Sequence, residues 1–337
     1  MLIQDRISAF EKLGDIFLNI TKQQGFEDVV NNAVLINPWF TKSNIEYAFL
    51  SLGEMLHSDS LIPWVKSYEI NKKTNLIGVI IPGNIPLVGF YDFLCVLISG
   101  NIFLGQLSFT NNTLLPYVAS LLFSIDIRFK QYVFFNDNLK TIDLLIATGG
   151  DNSFDYFNIL FKNTPRILRK NRNSVAVLMG NENQASYASL VHDIFMYFGL
   201  GCRNVSKLFL PDSFNFDHLK KHLAAYSNIM LNMNYRDNYH YQKSILTINS
   251  TQFIDFNTSV LIYSDRINSP IGVLYYENYT SLEEVNHILN INQENIQCIV
   301  CDDHRISNAI PLGSTQNPSL LDFPDGVDVM KFLVSYS

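Results

Sequence analysis

Apolar residues along the chain change between helical spacing and short continuous blocks, and this change predicts an α/β fold. Before residue 70, apolar residues recur at helical spacing from Ile7 to Ile20 and again from Lys42 to Leu56. A helix that buries one face repeats its apolar positions every three or four residues. The first seventy residues are therefore predicted to be helical, with Trp39 and Trp64 as core anchors.

Continuous apolar blocks begin near residue 75 and predict parallel strands. Asn75 to Pro82 is rich in β-branched residues, a turn and an apolar helix follow to about Ser99, and a second strand spans Ile102 to Leu107. Strand, helix and strand within about thirty residues form a βαβ unit. Later segments follow the same pattern: helix Leu114–Ser124, strand Tyr132–Phe135, helix Leu139–Leu144, strand Leu145–Gly150, helix Ser153–Phe161, helix Tyr187–Phe198, strand Lys207–Pro211, helix Phe214–Ala225, strand Val260–Tyr263, strand Ile271–Tyr276, helix Ser281–Leu289 and strand Ile296–Val300.

Composition narrows the class of protein. A chain of 337 residues is long enough for about two domains. Its net charge of −7 argues against nucleic acid, because no basic face is available for phosphates. Cys298 and Cys301 have the spacing of a redox or zinc pair, but no second pair accompanies them, and the segment is interpreted as a buried strand. No metal site is predicted.

The stretch from Phe93 to Ile125 has no charged residue and resembles a membrane span in composition. Turn residues at Gly100-Asn101, Gly105-Gln106 and Thr110 to Thr113 break it into pieces of strand and helix length. We expect a soluble protein, with peripheral membrane contact left open. The N-terminus has no apolar signal core, so a cytoplasmic location is expected.

The residues around Cys202 suit a reactive thiol. An apolar helical segment runs into Gly-Leu-Gly, which ends the helix, and Cys202 follows on a polar turn. Arg203 and Lys207 are close in sequence and could hold the thiol as thiolate. The alternative is one more buried thiol, since free cysteine is among the most buried residue types.

Two turns after predicted strands are further candidates. Thr148-Gly149-Gly150 leads into a helix, where free N–H groups and the helix dipole favour phosphate. An ordinary strand-to-helix turn is the alternative. Asn84 follows the first strand, where the local pattern predicts only a turn residue.

These segments resemble, in the correct order, the aldehyde dehydrogenase superfamily. Gly199 to Cys202 followed by Lys207 to Pro211 resembles its nucleophile segment, Gly-Gln-x-Cys…Leu-Phe-Val-Pro. Gly83 to Leu87 resembles the Pro-Trp-Asn-Phe-Pro-Leu block, and Thr148 to Gly150 resembles the Phe-Thr-Gly-Ser turn. With Asn37-Pro-Trp-Phe-Thr41 and the tail, the chain most resembles the short form of the LuxC-type acyl-CoA reductases.

The resemblance implies an aldehyde dehydrogenase-like α/β fold, with a parallel-sheet nucleotide-binding domain and an α/β catalytic domain. The first would comprise residues 1–172 with part of the C-terminal tail, about 311–337, and the second residues 173–310. The basic run from Arg166 to Arg172 would lie at the hinge, as a solvated turn or in contact with phosphates. A homo-oligomer is also expected.

The resemblance further implies a reaction. Cys202 would attack an acyl thioester, either acyl-CoA or an acyl group on a carrier protein, and Asn84 would hold the oxyanion. NADPH or NADH would then reduce the bound acyl group to the aldehyde. The implied cofactor-binding residues are Thr148, Gly149, Gly150, Gln106 and Asp265. Gln106 replaces a superfamily lysine, which leaves NADPH against NADH open, and Asp265 is one residue out of register with the superfamily acid.

Leu168 falls where oxidising members of the superfamily carry the glutamate that activates water. No acidic residue lies between Asp155 and Glu182. A reductase has no use for this base, because water would destroy its acyl intermediate. Two alternatives remain: an acyl-cysteine transferase or thioesterase, and a non-catalytic partner of an acyl-activating enzyme.

Overall fold

Four helices fill the first seventy residues, as the spacing of apolar residues predicts. The computed structural model describes residues 1–70, 73–136 and 138–336, apart from the side chains of residues 151 and 152. The helices are α1 (Ile3–Leu18), α2 (Phe26–Ile36), α3 (Lys42–Met55) and α4 (Ser58–Lys66). Thr41 begins α3 by accepting a hydrogen bond from the Asn44 N–H. Trp64 is buried as predicted, whereas Trp39 is only half-buried.

A five-stranded parallel sheet follows these helices. Its elements are β1 (Leu76–Ile81), α5 (Phe90–Ile98), β2 (Ile102–Leu107), α6 (Leu114–Ile125), β3 (Val133–Phe135), β4 (Leu144–Thr148), α7 (Asp151–Leu160) and β5 (Arg166–Arg169). The strand order is β3-β2-β1-β4-β5, and every pairing is parallel. The predicted helix at 139–144 is wrong: these residues approach β4 without helical structure, and Leu139 packs its side chain into the core.

The register of this sheet fixes which side chains share a face. Gln106, Ile80, Ala147 and Leu168 form one row across four neighbouring strands. Ile80, Ala147 and Leu168 pack with Phe157 of α7 in one apolar cluster. The row therefore lies on the face that α7 covers.

A second sheet of seven strands follows. Its elements are β6 (Asn173–Val177), α8 (Gln184–Phe195), β7 (Val205–Pro211), α9 (Phe216–Ala225), α10 (Met233–Ile248), β8 (Ile254–Asp255), β9 (Val260–Tyr263), β10 (Val273–Tyr279), α11 (Leu282–Ile291), β11 (Ile296–Val300) and β12 (Ala309–Ile310). The order is β12-β11-β6-β7-β10-β9-β8, and only β8 pairs antiparallel among these strands. The chain ends with α12 (Val329–Ser335).

The chain divides into two compact units, Met1–Asn171 with Asn317–Ser337, and Arg172–Gln316. β5 and β6, on either side of this boundary, belong to different sheets. α10 covers a stretch that the sequence indicates only as polar and aromatic. No helix in the described part of the chain is both long enough and apolar enough to cross a bilayer.

Candidate functional site

The turn before Cys202 has an unusual backbone. α8 ends at Phe195, and the next residues reverse the chain before β7 begins at Val205. Tyr197, Phe198 and Gly199 have φ angles of 52°, 60° and 75°, all in the left-handed region. Glycine adopts this conformation readily, but for a bulky residue it costs about 1–2 kcal/mol. The helix predicted to run to Phe198 and end at the glycines ends instead at Phe195, and two strained aromatic residues precede Gly199.

The side chain of Asn204 holds this turn together. Its Nδ2 donates to the carbonyl oxygens of Asp193, Ile194 and Met196 at 3.1, 3.3 and 2.8 Å. Its Oδ1 accepts from the Gly201 N–H at 2.9 Å. A helix end leaves carbonyls without partners, and one buried amide serves three of them here. The sequence pattern does not predict this role for Asn204.

Ser174 and Asp193 fix the neighbouring segments. The Ser174 hydroxyl, at the start of β6, donates to the Cys202 carbonyl at 3.0 Å and accepts from the Cys298 N–H at 3.1 Å. The Asp193 carboxylate accepts from the Thr315 N–H and hydroxyl at 3.1 and 2.7 Å. Burial raises the pKa of Asp193, although these hydrogen bonds oppose the shift. The Cys202 backbone is therefore held to the sheet.

Cys202 differs from the other three cysteines in its exposure. It is partly exposed, whereas Cys95, Cys298 and Cys301 are buried. Burial also raises the pKa of the Cys95 and Cys301 thiols, which disfavours their thiolates. Cys202 is therefore the cysteine that a substrate can reach most easily.

The two nearby cations contact other groups, contrary to the simplest expectation from sequence. Arg203 donates to the Cys298 sulfur at 3.3 Å and to the Thr315 carbonyl at 3.5 Å. Lys207 is fully buried in β7 and forms an ion pair with Glu277. The Lys207 charge is thus balanced by Glu277 and cannot be assigned to a Cys202 thiolate.

The turn that carries Asn84 is fixed by two buried asparagines in the first unit. Asn37 Nδ2 donates to the Gly83 carbonyl at 2.8 Å. Asn111 Nδ2 donates to the Pro82 and Ile85 carbonyls at 3.3 and 3.4 Å. The Asn37-Pro-Trp-Phe-Thr segment thus has a positioning role that its sequence did not reveal. Asn84 itself is half-buried after β1.

Backbone strain marks both candidate turns. Seven non-glycine residues in the described backbone have positive φ, and four of them are Ser250, Asn257, Asn308 and Asp325. Asparagine and aspartate tolerate this region better than other residues because their short polar side chains bond locally. The three bulky ones are Leu87, in the turn after Asn84, and Tyr197 and Phe198, before Cys202. Strain of this kind persists only where the surrounding structure enforces it.

The carboxyl edge of the first sheet gathers the predicted cofactor residues of that unit. Gln106 lies near the end of β2, the Asn84 turn follows β1, and Thr148 ends β4. β1 and β4 are neighbours, yet the chain leaves β1 toward β2 and β3 before it returns to β4. In open α/β sheets, ligands bind at the carboxyl ends of the strands at such a switch point.

The two glycines after Thr148 fit a tight turn that a ligand can approach. A Cβ at Gly149 would lie 2.7 Å from the Ser153 Cβ, so only glycine allows the close passage from β4 into α7. A Cβ at Gly150 would meet nothing closer than 3.6 Å. Gly150 is the N-cap residue of α7 and has no side chain. The N–H groups of the first turn therefore donate no hydrogen bond to a capping side chain.

A buried ion pair that the sequence pattern does not reveal supports this edge. Arg169 donates to both carboxylate oxygens of Asp92 at 2.6 and 2.7 Å, and Asp325 lies 3.5 Å away. Burial alone would lower the pKa of Arg169, but the Asp92 charge outweighs it and raises the pKa. The same guanidinium donates to the Thr148 hydroxyl at 3.4 Å. Asp92 is the one charged residue in the apolar α5, which is a signal the sequence offered.

Three further residues singled out from the sequence are Arg166, Leu168 and Asp265. Arg166 does not lie in a solvated turn, because its guanidinium binds the carbonyls of Phe161, Lys162 and Thr164 after α7. Leu168 is half-buried in β5. Asp265 belongs to the second unit, where it lies exposed in the loop after β9 and its carbonyl accepts from Lys207 at 3.1 Å.

Comparison with known proteins gives structural likenesses only. No family model matches the chain, and no curated protein matches its sequence. Aldehyde dehydrogenase 21 from Physcomitrella patens, in complex with the reaction product succinate, is similar with a TM-score of 0.71 and 11% identity, over 99% of this chain and 84% of that one. An aldehyde dehydrogenase from Mycobacterium tuberculosis, complexed with NAD+, has a TM-score of 0.62 and 11% identity, over 86% and 71% of the two chains. The NAD+ complex of an aldehyde dehydrogenase from Bacillus cereus has a TM-score of 0.63 and 13% identity, over 90% of this chain and 73% of that one. The predicted aldehyde dehydrogenase-like α/β fold is confirmed.

Replacing Asn204 tests the support of the Cys202 turn. Asn204→Ala leaves three carbonyls and one N–H without their side-chain partner, so the free energy of unfolding should fall by at least about 2 kcal/mol. Asn204→Asp keeps the acceptor for Gly201 but places a buried carboxylate oxygen against the same three carbonyls, so it should lose at least as much. Urea denaturation followed by circular dichroism measures both, and a thiol reagent reports the change in Cys202 reactivity. The exposed Asn228→Ala is the control. An Asn204→Ala protein as stable as this control would contradict the assignment.

Proposed function

We propose, from the aldehyde dehydrogenase-like fold, that this chain is a nicotinamide-dependent oxidoreductase that reduces an acyl thioester to an aldehyde through an acyl group on Cys202. The observation that carries the proposal is the placement of backbone strain. Leu87, Tyr197 and Phe198 adopt left-handed backbone in the two turns that the resemblance singles out. Such strain clusters at active sites, where it serves to preorganise reacting groups.

Cys202 supplies the nucleophile in this proposal. Its thiolate attacks the thioester carbonyl, a sulfur–carbon bond forms, and the CoA or carrier thiolate leaves with the electron pair of the broken bond. The carbonyl oxygen carries negative charge during this exchange. As the resemblance implies, its hydrogen-bond donors would be the Cys202 backbone N–H and the Asn84 side-chain amide. The contacts of Ser174 and Asn204 keep the Cys202 backbone fixed while the side chain reacts.

The first unit offers residues that fit a nicotinamide dinucleotide. The glycine turn after Thr148 has room at Gly150 for an approaching phosphate, and Gln106 presents an amide that can bond a ribose hydroxyl. Bound there, the reduced cofactor would supply a hydride to the acyl carbon, and the carbon–sulfur bond would then break to release the aldehyde and return Cys202 as thiolate. Arg169 and Asp92 keep Thr148 in place at the switch point. Gln106 brings no charge for a 2′-phosphate, so the proposal covers both NADH and NADPH.

Leu168 supports reduction over oxidation. A leucine side chain has no group that could activate water. Here it is half-buried and packs in the apolar cluster beneath α7. An acyl-cysteine that water does not attack persists until hydride or a thiol reaches it. This lifetime is what a thioester reductase needs.

A thioester transferase is the second candidate. Asp265 is the acid that would hold the nicotinamide ribose, and it is exposed. Lys207 of β7 donates to the Asp265 backbone carbonyl rather than to its carboxylate. A chain that kept Cys202 chemistry but bound no nicotinamide would pass its acyl group to another thiol or to water.

Removing the nucleophile tests the first step. Cys202→Ala should show no mass increase after treatment with acyl-CoA, because no accessible thiol remains to take the acyl group. Cys298→Ala and Cys301→Ala should still form a one-acyl adduct, since both thiols are buried. Intact-mass spectrometry measures the adduct. An acyl adduct on the Cys202→Ala protein would end the assignment.

Replacing the proposed oxyanion donor tests Asn84. Asn84→Ala should fold normally and lose about 10²–10³-fold in turnover, the usual effect of one such donor. Steady-state nicotinamide oxidation with acyl-CoA measures it. The exposed Asn112→Ala is the matched control and should retain activity. Full turnover in Asn84→Ala together with a lower melting temperature would show that Asn84 is only a turn residue.

The direction of reaction gives a third test. With aldehyde and oxidised nicotinamide, the acyl-enzyme should accumulate, because Leu168 cannot activate water. Free CoA should release the acyl group as acyl-CoA and restore turnover, since this path reverses the reduction. Nicotinamide reduction followed with and without CoA measures the difference. Rapid formation of free acid without CoA would mean that another group activates water, and reductase function would be rejected.

A further inference from the structure

A cavity in the first unit lies at the edge of the sheet opposite the candidate cofactor residues. Its volume is about 320 Å³, and it borders the segments just before β1, β2 and β3, at Thr74, Gly100 and Tyr132. The candidate cofactor residues of this unit follow the carboxyl ends of strands. Since all strands of this sheet are parallel, the cavity is separate from that site.

A buried arginine lines this cavity. Arg6, in the first turns of α1, is only 9% exposed. Its Nη1 donates to the Leu97 carbonyl at a long 3.4 Å, and its Nε is buried and has no hydrogen-bond partner. Gly100 allows this placement, because a Cβ there would lie 2.3 Å from Nη1. The guanidinium therefore uses little of its capacity of five N–H donors.

The Arg6 charge has no acidic partner in the described part of the chain. Burial lowers its pKa, and the only opposing influence is Tyr132. The neighbouring Asp5 is paired with Arg128 at 2.9 Å. By contrast, the buried Arg169 of the same unit is neutralised by Asp92. A buried charge without a counter-charge is strongly unfavourable, so native proteins normally pair it.

We propose that this cavity binds a small organic anion, with the anionic group on Arg6 and a short apolar body against the walls. The walls include Ile3, Leu97 and Phe129, and the Tyr132 side chain adds a hydroxyl group. The volume is at the lower end of the range for small-molecule sites, which suits a ligand the size of a short-chain carboxylate. A guanidinium binds a carboxylate with two parallel hydrogen bonds. This site is independent of the proposed reaction at Cys202.

Binding of hexanoate tests the proposal directly. Calorimetry with the full chain should show one saturable site for hexanoate in the millimolar range or tighter, as expected for so small a ligand. Hexanol has the same apolar body without the charge and should bind at least about tenfold more weakly. Inorganic phosphate, which has charge but no apolar body, should also bind more weakly. Equal binding of hexanoate and hexanol, or no binding of hexanoate, would overturn the proposal.

Arg6→Met separates this cavity from any other place where a carboxylate binds. The variant should lose the hexanoate site and the rise in melting temperature that hexanoate gives the wild type. Without ligand it should be at least as stable as the wild type, because an apolar side chain replaces an unpaired buried charge. Arg236→Met, at a partly exposed arginine of the second unit, should bind hexanoate normally. Unchanged hexanoate binding in Arg6→Met, or a ligand-free protein much less stable than wild type, would show that Arg6 is structural.

Discussion

The side-chain amide of Asn204 is the contact on which the candidate site of the second unit depends. It satisfies three carbonyls at the end of α8 and the N–H of Gly201, and thereby holds Tyr197 and Phe198 in a backbone that neither residue favours. Cys202 follows this turn, shortly before β7 begins at Val205, and its thiol is partly exposed. Without the hydrogen bonds of Asn204, the turn could relax to an ordinary helix end, and the thiol would lose its fixed position.

The first unit applies the same principle at its own strand ends. Buried side chains support these turns from outside the loops: Asn37 and Asn111 hold the segment around Asn84, and Arg169, paired with Asp92, contacts Thr148. Parallel pairing then places these turns along one edge of the sheet. Each loop is thus irregular in sequence but rigidly supported, which is what a site for a dinucleotide or a reacting carbonyl requires.

Sequence patterns predicted the strands well because a buried parallel strand is a nearly continuous apolar block, as in β1 and β4. They also placed Cys202 on a turn after a helix, although that helix ends at Phe195 rather than at the glycines. They could not reveal Asn204, whose side chain bonds the end of α8 and the turn after it. Nor could they reveal the pairing of Asp92 with Arg169, which are 77 residues apart. They missed α10 because its polar and aromatic residues lack a clear apolar face, and its stability comes from packing of residues such as Tyr235 and Tyr239.

The most direct test of the central claim compares thiol release with nicotinamide consumption when acyl-CoA and reduced nicotinamide are supplied together. Released CoA is measured with a thiol reagent in quenched samples, and nicotinamide by its absorbance. Reduction through an acyl-cysteine predicts that one nicotinamide is consumed for each CoA released in the steady state, with aldehyde as product. CoA release without nicotinamide consumption would contradict the account and would identify a transferase or thioesterase instead.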